Sequence, residues 1–63
     1  MKRKNKLTLE LPDEQAWALA QFLKRAGIDH YRALAVDQEE ARLMYEAGER
    51  ARDALREIGI APR

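Results

Sequence analysis

The chain contains no cysteine and only one histidine, His30. Disulfides and thiolate metal sites are therefore excluded, and a histidine-rich metal centre cannot be assembled. No apolar run approaches the roughly 18 residues that a membrane span requires. The basic N-terminus lacks the apolar stretch of a secretory signal, so the expected compartment is cytoplasmic. No Ser/His/Asp order, glycine-rich phosphate loop or metal-ligand spacing can be found, so the chain is read as a non-enzyme with no cofactor and no metal. Acid pairs do occur, at Asp13–Glu14 and Glu39–Glu40. Both stand where a helix begins, and the helix dipole accounts for them.

At 63 residues the chain is one domain at most. A domain of about this size buries only about 60% of its unfolded surface and is marginal alone. With disulfides and metals excluded, oligomerisation is the support that remains. The composition, 46% hydrophobic and 37% charged, suits a helical chain rather than a disordered one.

The net charge of +1 conceals an asymmetry. Lys2, Arg3, Lys4 and Lys6 put four cations into residues 1–6, whereas the remainder carries eight basic against eleven acidic residues. Such an arm is either a phosphate-contacting segment, releasing counterions as it binds, or a solubilising terminus.

After the arm, a single domain is expected over residues 7–59, with a short polar tail at 60–63. The stretch "KLTLELP" alternates Leu7, Leu9 and Leu11 with Lys6, Thr8 and Glu10. That period predicts a half-buried strand, which Pro12 ends. A lone strand needs a partner and the chain offers no second one, so the same strand of another copy is expected to pair with it. A helix over "DEQAWALAQFLKRA" is predicted to bury Ala16, Leu19, Ala20, Phe22, Leu23 and Ala26, with Gly27 as its C-cap. Trp17 projects off that stripe, as a dimer contact or a hot spot for another partner. Asp29 is expected to cap a short helix through "HYRALAV". Asp37 and Glu40 read as a capping box opening a long helix to about Ile58, with Glu40, Met44, Ala47, Gly48, Ala51, Leu55 and Ile58 on one face. Glu46 and Arg50 make a favourable i,i+4 pair, and Gly59 and Pro62 close the helix.

The order strand, proline, amphipathic helix, turn and second helix in "LTLELPDEQAWALAQFL" and "GIDHYRALAV" resembles the ribbon-helix-helix family of DNA-binding regulators. The fold so implied is mostly α with one short N-terminal β-strand, forming a ribbon-helix-helix-like homodimer. In that family two strands pair into a ribbon that reads duplex DNA in the major groove, and the second helix meets the backbone. Carried over by position, the nucleic-acid-binding residues are Lys4, Lys6 and Thr8 on the ribbon and His30 at the turn, with Lys2 and Arg3 in the arm. Leu7, Leu9, Leu11 and Trp17 form the dimer interface. "LPDEQAWALAQFLKR" and "DHYRALAVDQEEARLM" also look like a family of short, uncharacterised proteins from proteobacterial plasmids and integrated elements. That resemblance implies a mobile-element setting and two functions: a transcriptional regulator, or an anti-CRISPR-type inhibitor that binds a host protein or nucleoprotein complex through an acidic helical surface.

Overall fold

A computed structural model describes residues 3–63. Three helices account for its regular structure: α1 (Asp13–Arg25), α2 (Ile28–Leu34) and α3 (Gln38–Glu57). The strand expected over residues 7–11 is not formed, and no strand occurs among the described residues. The fold is therefore mostly α, as expected, but it is not the strand-helix-helix of a ribbon-helix-helix protein. Alternating side chains suit a strand only when a neighbouring edge satisfies its N–H and C=O groups. One copy provides no such edge, and Leu7 and Leu9 remain 90% and 69% exposed.

The first helix starts directly at Pro12, whose φ of −57° and ψ of 152° are extended, and its carbonyl accepts from Ala16 N–H at 2.9 Å. Asp13 and Glu14 occupy the first turn and Lys24 and Arg25 the last, so both ends complement the helix dipole. The helix stops at Ala26 rather than at Gly27. Gly27 instead precedes α2, with an ordinary negative φ of −97°. Its N–H donates to His30 Nδ1 at 3.0 Å, which is half of a capping box, since glycine has no side chain to return the bond. Asp29 is thus not the cap: it lies in the first turn of α2 and accepts from Arg32 Nη1 at 3.2 Å.

Asp37 caps α3 as expected, but the capping box is only half formed, because Glu40 reaches past the cap residue to the N–H before it. Asp37 Oδ1 accepts from Glu40 N–H at 2.8 Å, and Glu40 Oε1 accepts from Val36 N–H at 2.8 Å. At the other end Gly59 takes a φ of 89°, the left-handed conformation that glycine adopts without strain. The reversal brings Ile60 back, its N–H donating to Leu55 O at 2.9 Å.

The longest helix is the spine. Helices α1 and α2 each pack on α3, and among the described residues not on one another. The core is Ala16, Ala20 and Leu23 of α1, Leu55 of α3, and Ile60, with Leu11 and Leu19 partly buried against it. Ile60 therefore belongs to the core although it falls in the segment read as a polar tail. Ala41 is also buried. Phe22, expected in the buried stripe, is 58% exposed. The extents of 33 × 28 × 16 Å describe a slab too thin to surround every apolar side chain. A radius of gyration of 12.7 Å confirms this openness; a compact chain of this length has roughly 11 Å.

Candidate functional site

Because α1 and α2 pack on the spine but not on one another, a groove opens between them. It has a volume of about 790 Å³ and is lined by Phe22 and Ala26 of the α1 end and Tyr31, Ala33 and Leu34 of α2, with Arg25 and His30 at its edge. Leu34 is 77% exposed, so two large apolar side chains stand in solvent at this mouth. Behind them Tyr31 turns towards α3, its ring meeting Tyr45 edge-on at a centroid separation of 6.0 Å. A second groove, of about 840 Å³, lies between the N-terminal segment and α3. Leu7, Leu9 and Leu11 line one side; Ala47, Ala51, Ala54 and Ile58 line the other.

The residues expected to contact nucleic acid are dispersed. Arg3, Lys4, Lys6 and Thr8 are all exposed on the extended segment, while His30 is exposed on α2. Lys2 lies outside the described residues. His30 uses Nδ1 to accept the Gly27 N–H, which leaves only Nε2 for a ligand. Of the expected dimer contacts, Leu7 and Leu9 are exposed and Trp17 is 41% exposed, but Leu11 packs on the chain's own core.

Acidic residues on α3 are not a uniform negative face. Arg42 donates to Glu39 at 2.6 Å and to Glu46 at 2.7 Å. Arg52 pairs with Glu49 at 3.6 Å, and Arg56 pairs with Asp53. Hydrogen bonds donated to Glu39 and then to Glu46 hold the Arg42 guanidinium above its ordinary pKa. Glu46 is thus engaged by Arg42, not by the expected Arg50. The outer surface of α3 is a ladder of alternating charge, with each arginine set three or four residues from an acid.

Among the described residues no group of three or more His, Cys, Asp or Glu side chains is placed to hold a metal ion. No helix is long and apolar enough to cross a membrane.

A family model spans the entire chain, residues 1–63. The chain belongs to DUF7706, a family of unknown function. No curated protein and no solved structure matches it. Membership in this family thus supplies no chemistry. The surface offers an apolar groove at Phe22 that sequence reasoning missed, because it assigned Phe22 to the core. The signal was present in the short α2 helix, which has too few apolar positions to cover Phe22 and a face of α3 together.

Proposed function

We propose that the protein is a non-enzymatic binding module that works as a homodimer and engages a protein partner through the groove between α1 and α2. The observation that carries this reading is the exposure of Phe22 and Leu34 at the mouth of an open apolar groove. Large apolar side chains clustered in a concave surface are what interface hot spots are made of. A groove between two helices takes an apolar helix face from a partner, and Arg25 at its edge favours one flanked by acids. Inhibition of the anti-CRISPR type fits this arrangement through apolar contact. Mimicry of nucleic acid by an acidic surface fits it less well, since Glu39, Glu46, Glu49 and Asp53 are engaged by neighbouring arginines.

The test is affinity capture from a cell extract with the wild type and a Phe22→Lys, Leu34→Lys variant. Both positions are exposed, so helicity by circular dichroism should be retained. A partner captured by the wild type and lost by the variant supports the groove. Equal capture by both removes it.

A second reading, DNA binding by a transcriptional regulator of a mobile element, is favoured by the exposure of Arg3, Lys4, Lys6 and Thr8 along one extended segment. It now rests on an arm without a paired ribbon. Titration against duplex DNA at several salt concentrations distinguishes it: arm-driven binding weakens steeply as salt rises.

A further inference from the structure

A second apolar face on α3 is left open by the lone chain. The core-facing side of this helix holds Ala41 and Leu55, with Gly48 half-buried. Beside it, Leu43, Ala47, Ala51, Ala54 and Ile58 recur at spacings of three and four and are all exposed. From Ala47 onwards these residues form one wall of the second groove.

We infer that a second copy of this chain docks on this face, with the two α3 helices antiparallel about a two-fold axis beside Arg50 and Ala51. The inference rests on the homodimer reading above and names its interface.

Three observations select another copy as the occupant. The first is the pattern itself. Leu43 stands as far before the Arg50–Ala51 step as Ile58 stands after it, and Ala47 as far before as Ala54 after. Antiparallel pairing about that step therefore sets Leu43 against Ile58 and Ala47 against Ala54 at both ends. An isologous interface requires this self-complementarity, whereas an unrelated partner does not. Three alanines at the centre let the backbones approach to the short end of the usual 8–10 Å helix separation, and the larger side chains close the ends.

The second observation is area. The chain exposes 5737 Å², against roughly 4,200 Å² for a compact monomer of its mass. The excess is well above the roughly 800 Å² per partner of a standard interface. Docking α3 on α3 would cover the stripe and bring the second copy over Leu7 and Leu9, exposed residues of the same groove.

Third, the groove carries charges of both signs, with its cation unpaired in the single chain. Glu10, Asp13 and Arg50 are its ionised lining residues. Arg32, Arg42, Arg52 and Arg56 all pair within their own helix, but no ion pair among the described residues involves Arg50. A two-fold axis beside Arg50 brings the two guanidinium groups close together, so docking requires each to turn along the groove towards its acids, Glu10 and Asp13.

The chain has no cysteine, so single cysteines report the geometry directly. Wild type and the variants Ala47→Cys, Ala51→Cys and Ala54→Cys are sedimented at micromolar concentration, then treated with a mild oxidant. The expected wild-type mass is twice the 7.3 kDa of the chain. Ala51→Cys should cross-link to itself, because it lies next to the axis. Ala47→Cys and Ala54→Cys should each fail alone, since antiparallel copies hold the identical positions about 10 Å apart, beyond disulfide reach. Mixed together, those two should cross-link. A wild-type dimer in which neither Ala51→Cys nor the mixture cross-links overturns the α3 interface and leaves the homodimer reading standing. Self-linking by Ala54→Cys overturns the antiparallel arrangement. A wild-type monomer at the same concentration overturns both.

Discussion

Gly48 on α3 lies against the hydroxyl end of the Tyr31 side chain of α2. A Cβ at position 48 would overlap the Tyr31 hydroxyl and stand 3.3 Å from Tyr31 Cζ and 3.6 Å from Leu23 Cδ2. The glycine is therefore needed for close approach, since α3 is regular helix at this point. Replacing it with alanine should gain about 1 kcal/mol of helix propensity. The phenol must swing away, however, giving up its edge contact with Tyr45 and opening the α2–α3 packing. We expect Gly48→Ala to destabilise the protein by roughly 1 kcal/mol net. In a Tyr31→Ala background the same change should stabilise it. Urea denaturation of the four proteins reads this sign reversal; the same sign in both backgrounds would exclude the steric account.

The entry to α3 depends on two carboxylates. Asp37 takes the Glu40 N–H and Glu40 takes the Val36 N–H, both at 2.8 Å. Asp37→Ala should cost about 1 kcal/mol, and Asp37→Ser should restore most of it because a hydroxyl can accept the same bond. Thermal melts followed by circular dichroism measure both. An unchanged midpoint for Asp37→Ala would mean that the cap contributes nothing.

Core and groove should separate cleanly in stability. Leu55 is buried among Ala16, Ala20, Leu23 and Ile60, so Leu55→Ala should lose about 2–3 kcal/mol. In a domain this small that is a large part of the total. Phe22→Ala removes a mostly exposed ring and should change stability by only about 0.5 kcal/mol. Similar losses at the two positions would show that Phe22 is covered in solution, by a partner copy or by a closed form of the groove.

The arm gives a prediction on binding alone. Lys6→Ala and Thr8→Ala alter exposed side chains on a segment without regular structure, so neither should change helicity. If the arm contacts DNA phosphates, Lys6→Ala should reduce the salt dependence of binding by about one unit of slope. Thr8→Ala should leave that slope unchanged, since it carries no charge. Equal slopes for wild type and Lys6→Ala would take Lys6 out of the contact.

Local signals in the sequence determined the helices. Acids after Pro12, the Asp37–Glu40 pair and Gly59 all act within one helical turn, so they are legible without knowledge of the fold, and the boundaries they imply are close to those observed. The caps of α1 and α2 were less legible, because Gly27 can end one helix or begin the next and only the geometry of His30 settled it. Which apolar residues are buried was decided by tertiary structure alone. Periodicity assigns a face to Phe22 and Ala47 but cannot say whether another element covers that face. Here α2 has only seven residues and does not pack on α1, so one apolar face is left open on each side of the spine. The N-terminal segment failed as a strand for the same reason. Alternation at Leu7, Leu9 and Leu11 is a property of the chain, whereas a hydrogen-bonded ladder is a property of a pair.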